Sequence, residues 1–214
     1  MAEFTIAVAK GRIADHSIRL LNTMGVTFEQ LTPSSRKLVF YSSDKTIRLI
    51  FVKAIDVPTY VEKGAADMGI VGKDNILESQ ADVYEVLDLK IGTCKFAVAG
   101  KPGQQLDAFQ SLTIATKYPT VARNYFSRKG KPIEIVKLNG SVELAPIIGL
   151  ADVIVDIVET GNTLKENGLV VLEQVESIST RLIVNKASFA LKSVAIQSFI
   201  NTFKQSLEES TWNA

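Results

Sequence analysis

Cysteine, histidine and net charge are all scarce in this chain. Its 214 residues include one cysteine, Cys94, and one histidine, His16. A single cysteine excludes a disulfide framework within the chain, and the lone histidine argues against a metal site built on Cys or His. Lys and Arg number 24 against 23 Asp and Glu, a net charge of +1. A general nucleic-acid binder carries a larger basic excess, so a polyanionic ligand would have to meet positive charge gathered locally. No apolar run approaches the ~20 residues of a membrane helix. The start, Met1 to Lys10, has no basic residues ahead of its short apolar run and reads as a first strand rather than a secretion signal. The expected location is the cytoplasm, with neither membrane nor nucleic acid as partner.

What is present is ordinary globular composition, 46% hydrophobic and 22% charged, in a length that suits one large domain or two small ones. Strand-like and helix-like segments alternate. Phe4 to Ala9 reads as a buried strand, followed by Lys10-Gly11-Arg12 and a helix whose Ile13, Leu20, Leu21 and Met24 share a face, with Gly25 as its stop. Lys37 to Tyr41 and Thr46 to Val52 read as strands about a Ser-Ser-Asp-Lys turn, and Asp56 caps a short helix with Pro58 in its first turn. Asp67 to Val71 and Val83 to Leu89 are further strands around a short helix at Lys73 to Glu78. A second set has strands at Lys95 to Ala99, Leu112 to Thr116, Ile133 to Leu138 and Val153 to Val158, with helices between them. Two strands lead back, a closing helix starts near Lys186, and the polar tail Glu208 to Ala214 reads as frayed. Such alternation predicts an α/β protein of two lobes with mainly parallel sheets flanked by helices. The first lobe would be residues 1–92 plus 179–214 and the second residues 93–178, with the active site in the cleft between them.

The stretch Val153 to Leu164 carries the most chemistry. A hydrophobic strand runs into Asp156 and Glu159, then Thr160-Gly161-Asn162-Thr163 opens a helix. Backbone N–H groups at a helix start attract an anion such as a phosphate ester. Gly161 lets the backbone approach closely, and the Thr160 and Thr163 hydroxyls add donors. The two carboxylates would accept hydrogen bonds from ribose hydroxyls or help hold Mg²⁺. Taken alone, the pattern is also that of a buried strand ending in a capped helix. A basic set forms the second candidate: Lys10 and Arg12 at the first strand exit, with Arg36, Arg48, Lys53 and Lys73 at other segment edges, near where open α/β sheets bind ligands. Asn139-Gly140-Ser141-Val142-Glu143 is a further strand exit, with Ser141 as the expected cap of the next helix. His16 has no nucleophile for a partner, and Cys94 reads as apolar filling.

Several of these pieces, in this order, resemble the ATP phosphoribosyltransferase family. They are Ala7 to Arg12, Asp56 to Asp67, Gly69 to Asp74, Asn139 to Pro146 and Ala151 to Leu164, and the resemblance spans residues 4 to 185. The family occurs in a long form with a C-terminal regulatory domain and a short form without it, and this length resembles the short form. The resemblance implies a fold similar to periplasmic binding proteins, ATP and phosphoribosyl pyrophosphate as substrates, and Mg²⁺ with unassigned ligands. It also implies a hetero-oligomer with a regulatory subunit similar to histidyl-tRNA synthetase. By motif, Glu159 to Thr163 would hold the 5-phosphate and Asp156 would lie near the ribose. Lys10 and Arg12 would lie by the ATP or pyrophosphate groups, and Arg36 matches a family arginine in the Ser-Arg-Lys stretch. Lys53 departs from the arginine expected there, keeping the charge but losing the two-pronged contact. Two other readings stand beside this one: a type I phosphoribosyltransferase acting on another base, and a two-lobed solute-binding protein.

Overall fold

Strand β1 (Phe4–Ala9) is buried at every position, which marks the middle of a sheet covered on both faces. The computed structural model describes residues 3–32 and 35–211. They fall into two compact units, Met1–Gly92 with Ser179–Ala214, and Thr93–Ile178.

The first unit holds α1 (Arg12–Thr23), β2 (Val39–Tyr41), β3 (Ile47–Val52), α2 (Val57–Glu62), β4 (Met68–Gly72), α3 (Lys73–Ser79) and β5 (Tyr84–Asp88). The second holds β6 (Cys94–Gly100), β7 (Leu112–Thr116), α4 (Pro119–Arg128), β8 (Ile133–Lys137), α5 (Leu144–Ile148), β9 (Val153–Val158), α6 (Asn162–Glu166) and β10 (Val170–Ile178). The chain then rejoins the first unit as β11 (Thr180–Val184), α7 (Lys186–Leu191) and α8 (Ser193–Thr211).

Both sheets are mixed, which corrects the expectation of mainly parallel sheets. The first has the order β2-β3-β1-β4-β11-β5 and the second β10-β6-β9-β7-β8. Only β1·β3, β1·β4, β7·β8 and β7·β9 are parallel. The rest are antiparallel: β2 on β3, β11 on β4 and β5, and β6 on both β9 and β10. A tight turn joins neighbours antiparallel, as in the β2–β3 hairpin, while β11, where the chain returns to the first unit, and β6, where it enters the second, each run against both of their neighbours.

Alternation along β1 sends Phe4, Ile6 and Val8 into one apolar cluster with Leu21, Met68, Ile70 and Phe203, while Ala7 and Ala9 face Val57, Val61 and Ile183 on the other side. Small residues are required on that second face. A Cβ on Gly69 would stand 2.8 Å from Val57 Cγ1 and 2.8 Å from Val61 Cγ2. The closing helix is two helices, broken at Lys192, and α8 continues through Thr211, further than a frayed tail would allow. Trp212 to Ala214 lie outside the described residues. Phe199 of α8 meets the Phe4 ring edge-on at 5.3 Å.

Asp67 ties this return to the first unit. It accepts from the Thr5 N–H at 2.8 Å and the Ser188 hydroxyl at 2.7 Å, and Lys192 Nζ lies 3.0 Å away. No described helix is long and apolar enough to cross a membrane.

Candidate active site

The carboxyl ends of the parallel strands place the predicted residues. In the first unit, Ala9 of β1 stands beside Val52 of β3, and the Lys10 N–H donates to the Val52 carbonyl at 3.1 Å. Lys10 and Lys53 are therefore the next residues of two adjacent strands, two exposed ammonium groups at one sheet edge. Gly11 follows with φ +95° and turns the chain into α1, a conformation that favours glycine. Beside α1 lies a cavity of about 800 Å³. Ile18, Leu31, Phe40 and Phe51 give it an apolar floor, and Lys10 and Arg36 are at its edge.

Arg12 begins α1 and Lys53 precedes a short 3-10 turn, and neither lines the cavity. Arg48 is engaged within the sheet, its Nε donating to Thr5 Oγ1 at 2.9 Å. Lys73 is half-buried with its Nζ 4.0 Å from Glu85.

In the second unit, the six residues predicted for the substrate stand together at the end of β9. Asp156 lies within the strand and is half-buried. Glu159, Thr160, Asn162 and Thr163 are exposed around Gly161, whose φ of +80° makes it the residue before α6. Gly161 is the residue that caps α6, because only a glycine meets that backbone angle without strain. The Thr160 hydroxyl accepts from the Asn162 N–H at 3.4 Å. Ser141 is not a side-chain cap. It sits at φ +49°, and its carbonyl accepts from the Leu144 N–H at 3.2 Å.

Burial pushes the Asp156 carboxyl up to about 6; the Ile157 N–H pulls it down, Glu143 adds to the rise and Lys117 opposes it. Lys117 was not singled out in the sequence, and Glu143 only as part of the Asn139 to Glu143 strand exit. Both follow strand exits, the signal that drew attention to Lys10, and Lys117 is the residue after β7. Among the described residues no group of three or more His, Cys, Asp or Glu is placed to hold a metal ion. Mg²⁺ carried largely by substrate phosphates and water does not require such a cage.

Two mixed sheets of this kind, with glycine turns at their strand ends, define an α/β fold shared with solute-binding proteins. The structure is similar to the periplasmic aliphatic sulphonate binding protein SsuA from Escherichia coli, with a TM-score of 0.62 and 12% identity over 100% of this chain and 75% of that one. That likeness concerns the fold alone. A closer match is the ATP phosphoribosyl transferase (HisG:HisZ) complex from Thermotoga maritima, with a TM-score of 0.86 and 35% identity over 96% of this chain and 99% of that chain. A curated ATP phosphoribosyltransferase of Oceanobacillus iheyensis is 66% identical over 94% of this chain and 97% of its own length. The family model for ATP phosphoribosyltransferase matches residues 53–205. The chain belongs to the ATP phosphoribosyltransferase family.

Proposed function

We propose that the chain transfers the phosphoribosyl group of phosphoribosyl pyrophosphate to N1 of the adenine of ATP and releases pyrophosphate, the first step of histidine biosynthesis. The observation that carries this is 66% identity to an ATP phosphoribosyltransferase along nearly the whole chain. The turn at the end of β9 supports it, with phosphate donors and sugar acceptors within eight residues, Asp156 to Thr163.

The reaction is a displacement at the ribose C1. The N1 lone pair forms the new N–C bond while the C1–O bond breaks and its electron pair leaves with pyrophosphate. Adenine N1 is unprotonated at neutral pH, so no strong base is required. Alignment of the two substrates supplies much of the acceleration. Thr160, Gly161, Asn162 and Thr163 anchor the 5-phosphate, and Asp156 accepts from ribose hydroxyls. Lys10, Arg12, Arg36 and Lys53 hold triphosphate and pyrophosphate charge, a stabilisation that grows as the leaving group separates. Mg²⁺ would be held mainly through the substrate phosphates, with Glu159 the exposed carboxylate of the turn, and would supply charge neutralisation there.

The reading includes a second subunit. A chain of this family forms part of the solved HisG:HisZ complex, and a regulatory partner similar to histidyl-tRNA synthetase is proposed here too, in the cytoplasm. The experiment is the near-ultraviolet absorbance change on N1-ribosylation of ATP, with phosphoribosyl pyrophosphate and Mg²⁺, with and without that partner. Absorbance growth dependent on both substrates is expected. Its absence with the partner bound would overturn the reading. Lys10→Ala and Arg36→Ala are expected to lower kcat/KM about a hundredfold each, the range for losing a group that stabilises developing charge. Unchanged turnover in either would remove that residue from the site.

A further inference from the structure

Parallel register brings a group outside the predicted set beside the phosphate turn. Thr116 of β7 stands opposite Val155 of β9. Continued by one residue, the register sets Lys117 next to Asp156, at the ~4.8 Å spacing of neighbouring strands. The order β9-β7-β8 aligns three strand exits on one edge of the sheet. They are the Thr160–Thr163 turn after β9, Lys117 after β7, and Asn139 to Glu143 after β8. The middle exit carries a cation.

Lys117 is exposed, and among the described residues its ammonium has no ion-pair partner within 4.0 Å, only the Tyr118 ring, 5.5 Å from Nζ to centroid. Its backbone, in contrast, is fixed. Thr116 is fully buried, its hydroxyl donates to the Val155 carbonyl at 2.6 Å, and the same oxygen accepts the Tyr118 N–H at 2.8 Å. Tyr118 is held edge-on against Phe96 at 4.9 Å, and Pro119 starts α4. A rigid base thus presents a charged tip with no protein anion to neutralise it.

We propose that Lys117 is a further substrate contact, its ammonium taking a phosphate group of phosphoribosyl pyrophosphate from the β7 side of the site. This rests on the reading that the second unit binds that substrate. The neighbouring Asp156 carboxylate feels the charge of the lysine without forming an ion pair with it.

The test is calorimetric titration of the full chain with Mg²⁺ and three probes: phosphoribosyl pyrophosphate, ribose 5-phosphate and pyrophosphate. Lys117→Met is expected to weaken phosphoribosyl pyrophosphate about tenfold, as for loss of a charge-assisted bond, and Lys117→Arg to restore most of it. The thermal midpoint should stay unchanged, which a merely structural role would not allow. Loss shared with ribose 5-phosphate assigns the contact to the 5-phosphate, and loss shared with pyrophosphate assigns it to the leaving group. Equal affinity of wild type and Lys117→Met overturns the inference while leaving the function intact. Failure of the wild-type chain to bind phosphoribosyl pyrophosphate overturns the functional reading, and this inference with it.

Discussion

Keeping a carboxylate half out of water has a cost, and Asp156 carries it. Burial moves its pKa from 3.8 to about 6, with Glu143 adding to the rise and the Ile157 N–H and Lys117 opposing it. That corresponds to about 3 kcal/mol against the charged form, less where water still reaches the group. The folded pKa is raised, so the native state holds its proton longer than the unfolded chain does, and stability is lost as pH rises from about 4 to about 6. Asp156→Asn is therefore expected to raise the melting temperature at pH 7.5, by about 2 kcal/mol of stability, and to lose that advantage near pH 4. The same variant should weaken phosphoribosyl pyrophosphate, a stability–function exchange common at binding sites. An unchanged melting temperature at pH 7.5 would mean that the charge is better solvated than its burial suggests. The sequence identified Asp156 and its turn because they are contiguous. Glu143 and Lys117 come from other strand exits, and only the sheet order brings them to Asp156.

At the scale of elements, packing distances decide what a position tolerates. Gly69 of β4 has no room for a methyl group between Val57 and Val61 of α2, so Gly69→Ala should cost about 1–3 kcal/mol in a urea melt. Asp67 anchors α7 to the sheet. Burial opposes its charge, but hydrogen bonds from Ser188 and Thr5, with Lys192, outweigh that and lower its pKa. A lowered pKa gives stability that is present above the unfolded value and is lost as pH falls through the folded one. Asp67→Asn is expected to cost about 2 kcal/mol at pH 7 and to flatten the acid limb of the stability curve. A variant that melts like wild type would show that the Phe199 and Phe203 packing alone holds the helices. Strand and helix periods made most elements legible in the sequence, and Leu112–Thr116 and Val153–Val158 have the expected limits. Ends set by backbone geometry were not legible. Ser141 and Thr160 have good capping chemistry, yet Gly161 and the carbonyl of Ser141 perform the local work.

For the whole molecule, the strand pattern predicted the α/β class but not the direction of every strand. Strand direction depends on how the connections run, and β2 and β11 in the first sheet and β6 in the second run against their neighbours, which makes both sheets mixed. The second unit is one continuous segment, Thr93–Ile178, set into the first. On either side of it the chain is closed by backbone bonds of 2.9 Å from Leu89 N–H to the Thr180 carbonyl and from Thr180 N–H to the Ile91 carbonyl. Thr93–Ile178 expressed alone should therefore unfold cooperatively, whereas a chain stopped before Ser193 loses Ile196, Phe199 and Phe203 from its core and should not form the first unit. Circular dichroism melts of both fragments would check this. Strand order also imposes a schedule on synthesis. β11 fits between β4 and β5, yet a ribosome finishes β5 well before β11 leaves the tunnel, a wait of about ten seconds at ~5–20 residues per second. Through that interval the nascent first unit has two strand edges with a gap between them; the inserted unit ends at Ile178, ahead of β11 and α8, and can complete itself before them. The younger segment of the chain is thus the first to mature, and the oldest residues wait for nearly the last ones to be made.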